Sequence, residues 1–195
     1  MVNEATGDRR RVVPSPLLLK ILGLEPIRAL MDAGHIVICA GGGGIPVRRA
    51  ANGQMEGVEA VIDKDRTAAL LAQNLKADAL LLLTDVSAVF RDLGAPDPLE
   101  IGRTTPSALD TLSLPPGSMG PKVAAACGFV QATGGFAGIG CLKDAPGILT
   151  GLAGTRIYPE SAKTGRSAVP QPESAKTSVT DQPGSVSPDD GGAMI

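Results

Sequence analysis

Aromatic side chains are scarce in this sequence of 195 residues, at 2%, with no Trp, one Tyr and three Phe. Its core must therefore come from Ala, Val, Leu and Ile, within a 43% hydrophobic content that is ample for a folded domain. That mix suits an α/β sheet better than an aromatic-rich sandwich. Histidine occurs once, at His35. With no second His and no grouped Cys, the sequence offers neither a catalytic triad nor a zinc site. The three cysteines, Cys39, Cys127 and Cys141, lie in apolar stretches. An odd number cannot all pair within one chain, so a reducing cytoplasm is the expected home. No apolar run approaches the roughly 20 residues that span a bilayer, and no apolar signal core follows the opening MVNEATGDRRR, which argues against membrane insertion and secretion. The formal net charge of -2 gives no electrostatic reason to expect nucleic acid or an anionic membrane as partner.

Composition shifts after Ile157 to Pro, Ser, Gly and Thr, and PESAKT occurs twice, at 159–164 and 172–177. Residues 158–195 therefore read as a disordered, low-complexity tail, and residues 1–8 as a disordered N-terminus. Between them, residues 9–157 alternate helix and strand periods, the pattern of parallel βαβ units. Leu24 to Ala33 reads as a helix stopped by Gly34, and His35 to Ala40 as a short buried strand. A helix is expected over Asp65 to Lys76, with Ala68, Leu71, Ala72 and Leu75 as the stripe that covers a sheet. Ala79 to Leu83 follows as a buried strand. Pro121 to Thr133 reads as a helix with Val123, Ala126, Cys127 and Val130 on one face, and Gly138 to Leu142 as a further strand. A hairpin around Ala51 to Gly57 and a short helix opened by Thr105 and Pro106 complete the expectation.

Four places carry residues suited to chemistry. Gly41, Gly42, Gly43 and Gly44 follow an apolar run directly, where the lack of side chains lets backbone N–H groups approach a phosphate. A flexible turn is the competing reading. The run matches neither the P-loop nor the dinucleotide signature. Asp63, Lys64 and Asp65 interrupt an apolar stretch, Val61-Ile62, expected to be a strand, just as a helix begins. Either Asp serves equally as an ordinary N-cap. Lys64 is harder to explain, because the helix dipole disfavours a cation in the first turn unless an anion sits there. Gly117, Ser118, Met119, Gly120, Pro121 and Lys122 form a second glycine-rich turn that ends in lysine at a helix start. A solvated lysine is the competing reading there. Thr84 and Asp85 end a buried strand, where open α/β sheets place their ligand crevice. A capped turn accounts for them as well.

Six motifs in this order, RRVVPSP (10–16), GHIVICAGGGGIPV (34–47), GVEAVIDKD (57–65), LLTDV (82–86), GSMGPKV (117–123) and GTRI (154–157), resemble those of carbamate kinase over residues 9–157. The resemblance implies an amino-acid-kinase fold, a three-layer α/β/α sandwich around a mostly parallel sheet. It implies ATP or ADP with Mg²⁺ on this lobe, the metal carried by the nucleotide and not by protein ligands. Lys64 and Lys122 would flank the transferring phosphoryl group, and Asp65 would orient both. The glycine run, Asp63, Thr84, Asp85, Ser118 and Met119 would line the nucleotide. Family members act as cytoplasmic homodimers that make ATP from carbamoyl phosphate in the arginine deiminase route, with carbamate gripped by an N-terminal lobe. This chain starts close to the lobe boundary, so the groups for that second substrate are expected to be absent. Leu17-Leu18-Leu19 and Gly23 depart from the family pattern, and Ala145-Pro146-Gly147 is expected to interrupt a helix. Another amino acid kinase, or a non-catalytic nucleotide-binding or dimerisation fragment, are the alternatives. RRVVPSP and GGGGIPV argue against the first.

Overall fold

In the computed structural model, residues 13–92, 95–112, 114 and 119–160 are described. The expectations for residues 1–8 and for the tail beyond residue 160 lie outside them, as does Ser118. Pairing of two six-residue strands builds the centre: β3 (Ala79–Thr84) lies parallel to β7 (Phe136–Cys141), with Ala79 opposite Phe136 and Thr84 opposite Cys141. The sheet order is β3-β7-β8-β6, where β8 is Thr155–Ile157 and β6 is Arg103–Thr104. β8 runs antiparallel to β7 and parallel to β6, so the sheet is mixed.

The alternation of side chains along a strand sorts the layers. Leu80, Leu82, Ala137 and Ile139 join the main core with residues of α2 (Lys64–Leu75) and α4 (Met119–Thr133). Gly138 and Gly140 face the other way, where a Cβ would lie 2.4 Å and 2.8 Å from atoms of Ile148. Only glycine lets α5 (Ala145–Thr150) seat Ile148, fully buried, against the strand. Helices thus cover both faces, giving the expected α/β class.

The helices form for the reasons their sequences suggest. α4 buries the predicted Val123, Ala126, Cys127 and Val130, and adds Phe129. α1 (Leu24–Asp32) ends as Gly34 takes a φ of +82°. α3 (Pro106–Asp110) starts after Thr105 with Pro106 in its first turn. The hairpin joins β1 (Val47–Arg49) to β2 (Met55–Gly57), and a second one pairs β4 (Val89–Arg91) with β5 (Leu99–Ile101).

Four expectations fail. His35 to Ala40 is not a strand: among the described residues no other strand pairs with it, and Ile36 and Ile38 are each 97% exposed. Hydrophobicity makes a strand only where a neighbour supplies the ladder. Val61-Ile62 is likewise irregular, although Ile62 is buried. The buried face of α2 is Asp65, Thr67, Ala69 and Ala72, which keeps Ala72 of the predicted stripe and leaves Ala68, Leu71 and Leu75 half-buried, because α2 lies mainly against α4 and less against β3. Pro146 does not interrupt a helix. It sits in the first turn of α5, where a missing N–H costs nothing.

Candidate functional site

α2 and α4 each precede the strand they pack on, β3 and β7, through short connections. Each helix therefore runs back along its strand, and both helix N-termini lie at the end where β3 finishes in Thr84 and β7 in Cys141. This is the crevice end of an α/β sheet.

At the start of α2, Asp63 has extended backbone and its Oδ1 accepts from Arg66 N at 2.9 Å. The structure gives Asp63 the ordinary capping role. One residue on, Lys64 is exposed, and among the described residues no hydrogen-bond or ionic partner is found for it. Asp65 turns inward. Its Oδ1 accepts from Lys122 Nζ at 2.8 Å, with the two side chains 9% and 8% exposed. Asp65 therefore orients Lys122 but not Lys64, which corrects the expectation that it orients both. An ammonium has three donors, of which this contact uses one.

The glycine run packs on the same helix start. Gly43 is buried, at φ +125°, and a Cβ there would stand 2.2 Å from the carbonyl oxygen of Ile62. Thr67, 4% exposed, donates from Oγ1 to the Gly43 carbonyl at 3.0 Å. Gly41 and Gly44 also have positive φ, +48° and +85°, and with Gly42 they stay exposed. The flexible-turn reading does not hold for Gly43. Ala40, at φ +61°, completes the bend, with Gly43 N donating to its carbonyl at 3.1 Å.

Thr84 Oγ1 donates to Asp85 Oδ1 at 3.0 Å, a local cap beside Cys141 at the end of the sheet. Met119 packs half-buried against the core at the start of α4. Sequence reasoning gave no role to Thr67 or to Thr155. Thr155 is fully buried, accepts from Val89 N at 2.8 Å and donates to the Ile101 carbonyl, which ties β8 to both strands of the second hairpin. Its place in GTRI was the available signal for Thr155. For Thr67 it was a hydroxyl within the first turns of a helix. No group of three His, Cys, Asp or Glu among the described residues could hold a metal ion, and no described helix is long and apolar enough to cross a membrane.

Residues 5–135 match the amino acid kinase family. The chain is similar to the carbamate kinase of Haemophilus influenzae, 52% identical over 152 residues that cover 77% of this chain and 49% of that protein. The carbamate kinase of Rhizobium meliloti is 52% identical over 150 residues, 76% of this chain and 46% of that one. Among solved structures, carbamate kinase from Giardia lamblia bound to AMP-PNP superposes with a TM-score of 0.72 at 42% identity, covering 76% of this chain and 53% of the other. The chain thus spans about half the length of the curated relatives it matches. A family match from residue 5 to residue 135, with relatives identical at about half of the aligned positions, shows that this chain belongs to the amino acid kinase family.

Proposed function

We propose that this chain forms the nucleotide-binding lobe of a carbamate kinase, which moves a phosphoryl group reversibly between ATP and carbamate. The single observation that carries the reading is the Lys122–Asp65 pair, a buried ammonium with donors to spare at the crevice end of the sheet. Such a group is costly to bury, and its remaining donors suit phosphate oxygens.

Phosphoryl transfer asks the protein mainly for in-line positioning and for compensation of spreading negative charge. Lys64, exposed on the first turn of α2, approaches the transferring group from solvent, and Lys122 does so from the protein side. Gly41 to Gly44 present backbone N–H groups to the phosphates. Thr84, Asp85 and Met119 lie along the nucleotide. Mg²⁺ comes with the nucleotide and is held by its phosphates, as the resemblance implies. In the forward direction an oxygen of ADP takes the phosphoryl group from carbamoyl phosphate and carbamate leaves. A cytoplasmic homodimer is the proposed working form, as the resemblance implies.

The test is a coupled assay for ATP formation from Mg·ADP and carbamoyl phosphate, run beside a thermal shift with Mg·ADP. Turnover with a raised melting temperature is the expected result for a complete enzyme. Because the chain spans half of its relatives' length, a shift without turnover assigns it nucleotide binding alone. Neither response at millimolar nucleotide rejects the proposal.

A further inference from the structure

One buried hydroxyl at this site has no part in the phosphoryl chemistry so far. Thr67 lies one turn into α2, and its Oγ1 is 3.0 Å from two carbonyl oxygens, those of Gly43 and Asp63. It has one proton for both. The acceptors are not equivalent, because the Asp63 carbonyl already accepts from Thr67 N at 3.0 Å. Gly43 is buried, and among the described residues its carbonyl has no other donor. A buried carbonyl left without a donor is penalised, so the proton is worth most on Gly43.

The consequence is geometric. Gly43 is fixed to α2 by the Thr67 hydrogen bond and to the segment that feeds α2 by its close approach to the Ile62 carbonyl. Its neighbours stay open: a Cβ at Gly41, Gly42 or Gly44 would meet nothing within 4 Å. Among the described residues, the N–H groups of Gly42 and Gly44 have no acceptor. The same holds for Lys64 and Asp65, the first two residues of α2, since the Asp63 side chain takes the N–H of Arg66. Two sets of unused donors, one on the glycine run and one on the helix start, are thus joined through the hydroxyl of Thr67.

We propose that Thr67 is a positioning residue for the nucleotide phosphates, holding the glycine run against α2 so that both sets of N–H groups act on one polyphosphate. This rests on the nucleotide reading above. Without the hydroxyl, the glycine run keeps its sequence but loses its fixed relation to Lys64 and Asp65, and preorganised donors become mobile ones.

The experiment compares Thr67→Val, Thr67→Ala and Thr67→Ser with the unaltered chain. It uses calorimetric titration with Mg·ADP and the {¹H}–¹⁵N NOE of the Gly42 and Gly44 amides, at a temperature where urea curves show each protein folded. Thr67→Val and Thr67→Ala should each weaken Mg·ADP binding about tenfold, the size of one lost hydrogen bond. The NOE at Gly42 and Gly44 should fall in both. Thr67→Ser should restore affinity and NOE, which loss of packing alone would not produce; Thr67→Ala keeps the comparison available if Thr67→Val does not fold. Unchanged affinity or unchanged NOE in the two hydroxyl-free variants, or equal damage from serine, overturns the role of Thr67 and leaves the nucleotide reading intact. Failure of the unaltered chain to bind Mg·ADP removes both.

Discussion

Lys122 Nζ lies 2.8 Å from Asp65 Oδ1, and this buried bond joins the first turns of the two helices that cover one face of the sheet. Each charge is hidden from water by the other's helix, so removing either leaves an uncompensated ion inside the protein. Lys122→Met or Asp65→Leu alone should lower stability by about 3–5 kcal/mol, and the double variant should recover most of that loss. Urea denaturation of the four proteins measures the coupling. Additive single effects would mean that the pair is not an energetic unit.

Lys64, two residues before Thr67's neighbour Arg66, makes the opposite forecast. It is exposed and without a partner among the described residues, so Lys64→Ala should change stability by less than about 0.5 kcal/mol. If it serves the phosphates as proposed, the same change should weaken Mg·ADP binding about tenfold or more and abolish any turnover. A variant that unfolds as readily as Lys122→Met would assign Lys64 to the fold and not to the ligand.

Much of this arrangement was legible in the residues. The four helices with clear caps or periodicity, and the paired strands β3 and β7, follow from patterns that are local in sequence. What was illegible depends on partners. His35 to Ala40 has the composition of a buried strand, yet a ladder needs a neighbour, and Ile36 and Ile38 stand in solvent. The face of α2 that is buried was misjudged because Asp65 belongs inside only in the presence of Lys122, a residue 57 positions away. Pro146 was taken to interrupt a helix, whereas it stands in the first turn of α5, where its missing N–H costs nothing. The glycine run announced itself by composition, but its anchoring by Thr67 is a tertiary contact across 24 positions.

Gly43 and Gly42 should differ sharply although they are neighbours. At Gly43 the backbone has a φ of +125° and a Cβ would stand 2.2 Å from the Ile62 carbonyl oxygen, so Gly43→Ala must move backbone. The expected loss is about 1–3 kcal/mol, with weaker Mg·ADP binding. At Gly42 a Cβ meets nothing within 4 Å and φ is not in the left-handed region, so Gly42→Ala should fold as the unaltered protein does. Thermal melts and nucleotide titrations of the two variants decide the matter, and equal tolerance at both positions would contradict the packing of Gly43 on Ile62.

The three cysteines should separate by reactivity. Burial, and secondarily the charge of Asp110, push the Cys127 thiol up from 9.0 to about 11. Cys39 and Cys141 are free and half-buried. At pH 8 a thiol reagent such as iodoacetamide should therefore modify Cys39 and Cys141 in the folded protein and spare Cys127, which lacks both access and thiolate. Unfolding in urea should equalise all three. The same shift has a sign for stability. Between pH 9 and 11 the unfolded chain gives up the Cys127 proton and the folded chain keeps it, so this residue's contribution, complete below pH 9, declines as pH rises through that window. Cys127→Ala should flatten the fall in stability across that range, and an unchanged slope would show that Cys127 does not carry it.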